Sequence, residues 1–407
     1  MLHYLLLAAL LVAGPVAAPP SAAQQGAAQR AASERARIEV TILEGHIDVP
    51  VRVNGRPMHF VLDTGASTTV LRLSHADALG LEKGRSFGAQ GAGVGSTLGQ
   101  ILRGVRLEVA GIEHAPPAMP GLPLGSLAPF MGRENDGILG YDFLSRFVVE
   151  IRYAESLVIL HDPAAFTAPA GARQVPFTLF AGRLPQISAR VKMSGREPIT
   201  APFVLDTGAR PAMVFARPFA ERTRLRESLA REVPVLGGGG LGTAASNRVA
   251  GRIEWLDFGG FQLKGVPANF PQAQSGFFAN QENAGVIGAE VFSRFTLTFD
   301  YRRGKLYLQP NAQLPEAFPY DASGLFLISD PPEFISIRVH AVVPGSPAAA
   351  AGLREGDAIV RVDSRPATDV GLHSLRELLR RNGEARTLTV QRDGRTFEVR
   401  LRLESLL

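Results

Sequence analysis

The heptapeptide Phe-Val-Leu-Asp-Thr-Gly-Ala occurs twice in this chain, at residues 60–66 and again at residues 203–209. The Phe-Val-Leu run is typical of a short buried strand. Each run ends in a carboxylate, Asp63 or Asp206, and the glycine two residues later permits a tight turn of the backbone. Seven identical residues in the same local setting indicate a duplicated unit.

The duplication extends beyond the heptapeptide. Gly-Ile-Leu-Gly at residues 137–140 is matched by Gly-Val-Ile-Gly at residues 285–288, and Ser-Arg-Phe at 145–147 is matched by Ser-Arg-Phe at 293–295. Both copies then continue into apolar residues that alternate with polar ones, a pattern that predicts strands. The repeated unit is therefore a whole lobe, and two such lobes related by a pseudo-two-fold axis would bring the two aspartates together.

Two carboxyl groups held side by side cannot both ionise at low cost, so they share one proton. The pair Asp63 and Asp206 would then offer an acid and a base at the same place. Such a pair can take a proton from a water molecule and give one to a carbonyl oxygen. This chemistry needs no metal and no organic cofactor, and the sequence predicts neither.

In this order, and at this spacing in both halves, the motifs resemble the aspartic protease superfamily. The alanine after Asp-Thr-Gly is closer to the retropepsin-like branch than to the pepsins, and the resemblance covers about residues 38–308. It implies that Asp63 and Asp206 are catalytic. It also implies that the catalytic loops are supported by Thr64, Gly65, Thr207 and Gly208.

A glycine-rich segment follows each Asp-Thr-Gly motif, at residues 88–95 and at residues 237–242. By resemblance these segments are flaps, which close over an extended substrate and exclude water. The candidate flap residues are Gly91, Gly93, Gly95, Gly238 and Gly240. The alternative is that both segments are ordinary mobile surface loops. The second also matches a dinucleotide-binding fingerprint, but no strand-then-helix unit surrounds it.

The C-terminal part of the chain resembles a PDZ domain, over residues 323–407. The resemblance is carried by residues 346–359, which contain Ser-Pro-Ala, Ala-Gly-Leu and Gly-Asp-Ala-Ile in this order. PDZ domains add a peptide strand to a sheet edge and hold the terminal carboxylate in a backbone nest. The resemblance therefore implies that Gly324, Leu325 and Phe326 bind a C-terminal peptide ligand. The alternative is a PDZ domain that only packs on the protease.

The beginning of the chain is apolar and then rich in small residues. Residues 1–23 are typical of a secretory signal peptide, so a periplasmic or secreted protein is expected. An uncleaved signal that anchors the protein in a membrane is the alternative. The remaining chain is divided into a flexible leader at 24–37, protease lobes at 38–162 and 163–308, a linker at 309–322 and the PDZ domain at 323–407.

Composition excludes several other classes. The chain has no cysteine, which excludes a disulfide framework, a cysteine protease and thiolate metal sites. Its net charge of +5 is not gathered into a basic run, so no nucleic-acid partner is predicted. The zinc-protease motif His-Glu-x-x-His and the serine-hydrolase motif Gly-x-Ser-x-Gly do not occur.

The sequence therefore predicts a mainly β protein with two pseudo-symmetric aspartic-protease β-barrel lobes and a C-terminal PDZ domain, a small α+β barrel. The expected function is that of an exported aspartic-type endopeptidase, a hydrolase with a polypeptide substrate. Because one chain supplies both lobes, no homodimer is needed to build the active site.

The two copies differ four residues after each aspartate, where Ser67 in the first copy is replaced by Arg210 in the second. An arginine beside the pair would lower the pKa of one carboxyl group, whereas an arginine that points outward would have little effect. This difference motivates the alternative function, a catalytically inactive two-lobed peptide-binding or adaptor protein.

Overall fold

The computed structural model describes residues 33–236, 240–242 and 248–407. Within these residues the protein is mainly β, with two lobes of the same construction and a smaller C-terminal domain. The expected signal peptide at 1–23 and the expected flap residue Gly238 lie outside the described residues. No helix in the described part is long and apolar enough to cross a membrane.

The first lobe is built from short strands, two one-turn α-helices and three 3₁₀ turns. Its strands are β1 (Glu34–Glu39), β2 (Thr41–Leu43), β3 (His46–Val53), β4 (Arg56–Leu62), β5 (Val70–Arg72), β6 (Glu82–Ala89), β7 (Thr97–Arg103), β8 (Leu107–Val109), β9 (Ile112–His114), β10 (Met119–Leu122), β11 (Gly137–Leu139), β12 (Val148–Arg152) and β13 (Leu157–His161). Its helices are α1 (Ala128–Met131) and α2 (Tyr141–Leu144), and its 3₁₀ turns are Leu73–His75, Leu124–Leu127 and Tyr153–Glu155.

The second lobe repeats this order of elements. Its strands are β14 (Arg173–Pro176), β15 (Thr178–Phe180), β16 (Leu184–Lys192), β17 (Ile199–Leu205), β18 (Met213–Phe215), β19 (Val233–Val235), β20 (Arg248–Arg252), β21 (Trp255–Phe258), β22 (Phe261–Lys264), β23 (Pro267–Pro271), β24 (Gly285–Ile287), β25 (Phe295–Asp300) and β26 (Lys305–Pro310). Its helices are α3 (Arg217–Arg222) and α4 (Ala289–Phe292), and its 3₁₀ turns are Leu225–Ser228 and Phe277–Ala279.

The C-terminal domain has its own sheet and its own apolar core. Its strands are β27 (Leu325–Ser329), β28 (Ile337–Val342), β29 (Ala358–Val362), β30 (Arg365–Pro366), β31 (Ala385–Arg392) and β32 (Arg395–Arg402). Its helices are α5 (Pro347–Ala350), α6 (Ala367–Val370) and α7 (Leu372–Leu378).

The strand order of the two lobe sheets is the same, which confirms the duplication. It is β6-β7-β10-β5-β11-β4-β3-β8-β9 in the first lobe and β19-β20-β23-β18-β24-β17-β16-β21-β22 in the second. In each lobe the strand that precedes the aspartate lies parallel to the strand of the aliphatic-aliphatic-Gly motif, as in the pairs β4–β11 and β17–β24. The aspartate motif and the aliphatic-aliphatic-Gly motif of each copy are therefore neighbours in its sheet.

A separate antiparallel sheet joins the lobes, in the order β1-β13-β12-β25-β26-β14. At its centre Val148 lies opposite Asp300, Glu150 opposite Thr298, and Arg152 opposite Thr296. By the Ser-Arg-Phe alignment Glu150 and Thr298 occupy equivalent positions of the two repeats. A residue that faces its own counterpart marks a local two-fold axis, so the pseudo-symmetry passes between β12 and β25.

The first lobe begins earlier than the sequence predicts. Residues 34–37, expected in a flexible leader, belong to β1, which pairs with β13 through contacts such as Ile38 opposite Val158. The side chains of Ala36 and Ile38 are buried. The physical reason is the symmetry of the joining sheet, because β1 occupies the same edge position as β14 does at the other end.

Local turn signals behave as the sequence predicts. Asn54 and Gly55 connect β3 to β4 with φ angles of 49° and 81°. Asp393 and Gly394 connect β31 to β32 with φ angles of 49° and 75°. Positive φ at both central residues is the geometry of the two-residue hairpin turn that Asn-Gly and Asp-Gly favour.

The linker at residues 309–322 is held tightly against the second lobe. Arg294 donates hydrogen bonds to the carbonyl oxygens of Gln313 at 2.7 Å and Glu316 at 2.6 Å. Its guanidinium carbon lies 3.7 Å from the centre of the Phe318 ring, and the Phe318 side chain is buried. The segment therefore fixes where the C-terminal domain leaves the protease lobes.

Candidate active site

Each candidate catalytic loop is anchored by the aliphatic-aliphatic-Gly motif of its own lobe. Asp63 follows β4, and its amide donates to the carbonyl oxygen of Leu139 at 3.0 Å. Asp206 follows β17, and its amide donates to the carbonyl oxygen of Ile287 at 3.0 Å. The motifs at residues 137–140 and 285–288 thus anchor the two loops by backbone hydrogen bonds.

The glycines of the two loops let the lobes approach closely. The Gly65 amide donates to Asp63 Oδ1 at 2.7 Å, and the Gly208 amide donates to Asp206 Oδ1 at 2.9 Å. A Cβ atom on Gly65 would lie 2.5 Å from Asp206 Cγ, and one on Gly208 would lie 2.5 Å from Asp63 Cγ. Any side chain at either position would therefore push the opposite aspartate away.

The two threonines connect the loops across the pseudo-two-fold axis. Thr64 Oγ1 donates to the carbonyl oxygen of Leu205 at 2.7 Å and accepts from the Thr207 amide at 3.1 Å. Thr207 Oγ1 donates to the carbonyl oxygen of Leu62 at 2.8 Å and accepts from the Thr64 amide at 3.0 Å. Both side chains are buried. Four hydrogen bonds that run between lobes thus fix the relative position of the two aspartates.

The carboxyl groups of Asp63 and Asp206 are hydrogen-bonded to each other. Burial raises the pKa of both, and it does so more strongly for Asp206, where the charge of Asp63 and the hydrogen bond from it add to the rise. For Asp63, the hydrogen bonds from Asp206 and from the Gly65 and Ala66 amides oppose the effect of burial. The pair therefore shares one proton at ordinary pH.

Arg210 turns away from this pair. Its Nη1 atom lies 2.8 Å from Oε2 of Glu44, which stands in the turn between β2 and β3. The neighbouring His46 reaches the catalytic loop itself, because its Nε2 atom lies 3.0 Å from the carbonyl oxygen of Gly208. Of the two outcomes left open for Arg210, the structure shows the outward one.

The glycine-rich segment of the first lobe is the tip of the β6–β7 hairpin and reaches the second lobe. The Gly93 amide donates to the carbonyl oxygen of Leu241 at 3.0 Å, and the Gly95 amide donates to Ser275 Oγ at 2.9 Å. The carbonyl oxygen of Gly91 accepts from the Phe277 amide at 3.0 Å. Hairpin tips that meet across the cleft are the arrangement expected of flaps.

The second expected flap lies between β19 and β20, and residues 240–242 of it are described. Gly240 approaches the first hairpin so closely that a Cβ atom on it would collide with Ala92. Leu241 packs with Val70, Leu122 and Leu124 of the first lobe. The two glycine-rich segments therefore close the cleft jointly.

Two apolar clusters lie beside the catalytic loops. The first comprises Val70, Phe87, Ala89, Leu122, Leu124 and Ile138 of the first lobe with Leu241 of the second. The second comprises Phe180, Leu184, Val204, Ala209, Val214, Phe277, Phe278 and Val286 of the second lobe. Ile138 and Val286 belong to the motifs that anchor the catalytic loops, so the two clusters pack around the base of these loops.

The expected peptide-binding residues of the C-terminal domain already contact other residues of the same chain. The Gly324 amide donates to Asp321 Oδ2 at 2.6 Å, and the Leu325 amide donates to Ser323 Oγ at 3.0 Å. Phe326 packs with residues of the second lobe. Helix α1 of the first lobe lies against β27, the edge strand of this sheet. A peptide tail would have to displace these contacts to bind at residues 324–326.

Sequence reasoning missed the residues that link the hairpin turn, the second catalytic loop and the C-terminal domain. These are Glu44, His46 and Arg376, and Arg376 Nη1 donates to Glu44 Oε2 at 2.9 Å. The three residues carry no motif, and Arg376 lies far from the other two in sequence. Only Arg210 gave a signal, because it departs from its counterpart in the first copy.

Comparison with known families agrees with this geometry. The model of an aspartyl protease family, described as "Aspartyl protease", matches residues 49–143, which include Asp63 and the anchoring motif of the first lobe. The model of a PDZ domain matches residues 338–392. No curated protein matches the chain. With a second lobe of the same strand order that supplies the other aspartate, the chain contains a retropepsin-like aspartyl protease domain followed by a PDZ domain.

Proposed function

We propose that the protein is an endopeptidase that hydrolyses peptide bonds with a water molecule activated between Asp63 and Asp206. The observation that carries the proposal is the contact between the two carboxyl groups, each of which lies against the Asp-Thr-Gly loop of the other lobe. Such a pair, with a raised pKa and one shared proton, is suited to acid and base catalysis in the same step.

In this mechanism the ionised Asp63 accepts a proton from the water as its oxygen attacks the scissile carbonyl carbon. Asp206, whose pKa is raised more strongly, donates the shared proton to the carbonyl oxygen. In the resulting tetrahedral diol, Asp63 gives its newly acquired proton to the peptide nitrogen and the C–N bond breaks. One diol hydroxyl returns its proton to Asp206 as the carbonyl group of the new acid forms, and an acid and an amine leave. The pair then again holds one proton.

The glycine-rich segments that meet over the aspartate pair support a polypeptide substrate, because they are placed as flaps would be. The alternative of an inactive binding protein was motivated by Arg210. That residue pairs with Glu44 instead of with an aspartate of the pair. Binding of a peptide tail at residues 324–326 would be a second role. It would require Asp321 and Ser323 to release the amides of Gly324 and Leu325.

We also propose that the protein is exported, on the basis of the signal-like composition of residues 1–23. N-terminal sequencing of the protein recovered from the periplasm or the medium tests this part. A mature chain that starts near residue 24 is expected, whereas recovery of the intact N-terminus from the membrane fraction would favour the anchored alternative.

The experiment that tests the proposed function compares wild type with Asp63→Asn and Asp206→Asn on unfolded protein substrates between about pH 3 and pH 8. Wild type should cleave and should be inhibited by pepstatin. Each variant should lose cleavage by at least about a thousandfold, because a single carboxyl group cannot act as acid and base together.

A matched control separates loss of chemistry from loss of fold. Asp77 belongs to the same lobe and is exposed, so Asp77→Asn should cleave as wild type does. Circular dichroism should show that all variants retain the β structure. Undiminished cleavage by either active-site variant would refute the two-aspartate mechanism.

A further inference from the structure

The catalytic loops of the two lobes are supported in different ways. In the first lobe Thr69 donates to Asp142 Oδ1 from its amide at 2.6 Å and from its hydroxyl at 2.7 Å. The amide of Gly140 donates to Thr69 Oγ1 at 3.2 Å. The first loop is therefore connected to its anchoring motif and to helix α2 by side chains of its own lobe.

The equivalent positions of the second lobe lack this side-chain network, and the Gly288 amide donates instead to the carbonyl oxygen of Ala212 at 3.0 Å. The repeat alignment places Ala212 where Thr69 stands in the first lobe, and an alanine has no side-chain group to donate or accept a hydrogen bond. It places Glu290 where Asp142 stands. Glu290 forms an ion pair with Arg380 of the PDZ domain. Asp142 thus braces the first loop from within its own lobe, whereas its counterpart Glu290 contacts another domain.

The second loop is held instead from the turn between β2 and β3. Burial and the charge of Arg210 lower the pKa of His46 to about 4, so its ring is neutral at ordinary pH and Nε2 can donate to the carbonyl oxygen of Gly208 at 3.0 Å. Glu44, two residues earlier, pairs with Arg210 four residues after Asp206. This one turn therefore contacts the second catalytic loop at two points.

The same turn is fixed by the PDZ domain through Arg376 of helix α7. Arg376 Nη1 donates to Glu44 Oε2 and to the carbonyl oxygen of Phe130, both at 2.9 Å. Its Nη2 donates to the carbonyl oxygen of Leu327 at 2.6 Å. One guanidinium group thus joins the PDZ helix, the PDZ edge strand β27, the helix α1 of the first lobe and the turn that holds the second loop.

The charged groups of Glu44 and Arg376 are buried, so the stability of this contact depends on their being paired. The side chains of Glu44 and Arg376 are 5% and 14% exposed. A buried charge that loses a partner is strongly unfavourable, since water cannot replace the lost contact. The contact is specific in geometry too, because three acceptors converge on the planar fork of an arginine.

We propose that the PDZ domain completes the active site of the protease, with Arg376 as a positioning residue that holds the second catalytic loop through Glu44, Arg210 and His46. The groove between α7 and β27 is then a docking site for the chain's own first lobe, which enters it with the carbonyl group of Phe130. This inference rests on the proposed function, since it assigns a role to the geometry of the second aspartate.

Hydrogen exchange in the full chain tests the proposal without relying on cleavage. In an Asp63→Asn background, which prevents self-digestion, Arg376→Met should accelerate exchange at residues 206–209 by at least about tenfold. Exchange at Thr69 and Gly140 should change by less than about twofold, because their amides are held by Asp142 and Thr69 within the first lobe. Glu44→Gln should produce the same selective effect, and Arg376→Lys an intermediate one, since lysine keeps the charge but lacks the fork.

A control arginine of the same domain is available. Arg386 is 13% exposed and pairs with Asp363 and Glu384 inside the PDZ domain. Arg386→Met should leave both loops unchanged. The proposal is wrong if Arg376→Met accelerates both catalytic loops equally, since the residue would then stabilise only the fold as a whole. It is equally wrong if neither loop changes or if Arg386→Met has the same effect.

Kinetics on a peptide substrate provide the second measurement, with Asp63 intact. Arg376→Met should lower kcat by about tenfold or more and alter KM by less than about twofold, because the groups that contact the bound chain are unchanged. If wild type cleaves no peptide, the proposed function fails, and hydrogen exchange still decides whether Arg376 holds the second loop. If cleavage is normal in Arg376→Met, the positioning role is refuted and the proposed function stands.

Discussion

The threonine contacts between the two catalytic loops lead to a quantitative prediction. Thr207→Val replaces a buried hydroxyl group with a methyl group of similar shape. It leaves the Thr64 amide without its acceptor and the Leu62 carbonyl without its donor. Thr207 is fully buried, so water has no access to either group.

The expected loss of stability follows from these two orphaned groups. A buried polar group without a partner costs about 1–3 kcal/mol, so Thr207→Val should lower the free energy of unfolding by about 2–6 kcal/mol. Thr207→Ser keeps the hydroxyl group and removes one methyl group, which should cost only about 1 kcal/mol. The difference between the two variants therefore isolates the hydrogen bonds from the packing.

Urea unfolding provides the measurement. Trp255 is the single tryptophan of the chain and lies in β21 of the second lobe, so its fluorescence reports on the lobe that contains Thr207. All variants should carry Asp63→Asn so that self-digestion does not interfere. By the pseudo-symmetry Thr64→Val should lose a similar amount, because it orphans the Thr207 amide and the Leu205 carbonyl.

Two results would refute this reasoning. One is a loss below about 1 kcal/mol in Thr207→Val, which would mean that the orphaned groups find other partners. The other is an equal loss in Thr207→Ser and Thr207→Val, which would assign the effect to packing.

Two further predictions concern the flaps and the aspartate pair. Gly93→Ala should raise KM for a peptide substrate several-fold, because the added Cβ atom would lie 2.9 Å from the Gly240 carbonyl oxygen. Gly88→Ala in the same hairpin is the control. Its Cβ atom meets only an ordinary 3.8 Å contact, so this variant should behave as wild type. Equal KM values for both variants would contradict the closed contact between the hairpins. The pKa of Asp206 is raised in the folded state, so wild type loses stability as the pH rises above the ordinary value of 3.8. Asp206→Asn should therefore melt at the same temperature as wild type near about pH 3 and at a higher temperature near about pH 7. A difference in melting temperature that does not depend on pH would contradict the raised pKa.

Much of the protease could be predicted from the sequence because its signals are local and occur twice. Each heptapeptide contains a buried strand, the carboxylate at its end and the turn that follows. Because the heptapeptide occurs in two copies of one lobe, the two carboxylates were expected to meet at a pseudo-two-fold axis. The closing hairpin at Asp393 and Gly394 was predictable for a similar reason, since two adjacent residues determine its turn. None of these features requires knowledge of distant partners.

The early start of the first lobe and the role of the PDZ domain could not be predicted in this way. Residues 34–37 form a strand because β13 offers them an edge, and nothing in their own composition distinguishes them from a leader. Arg376 lies on helix α7, and Arg380 and Arg381 follow just after its end. Only the tertiary structure shows that Arg376 reaches Glu44 while Arg380 reaches Glu290. Pairs of this kind are specified by packing between domains.

The duplication has left two lobes with one fold and an unequal dependence on the rest of the chain. The first loop is braced by Thr69 and Asp142, whereas the second relies on a turn of the first lobe and on the PDZ domain. The second flap shares this dependence, because Val233 at its base packs in one apolar cluster with Val343 and Leu406 of the PDZ domain. The two parts of the second lobe that would contact a substrate therefore rest on the same domain. An event that loosens the PDZ domain should then act on turnover through the catalytic loop and the flap of the second lobe.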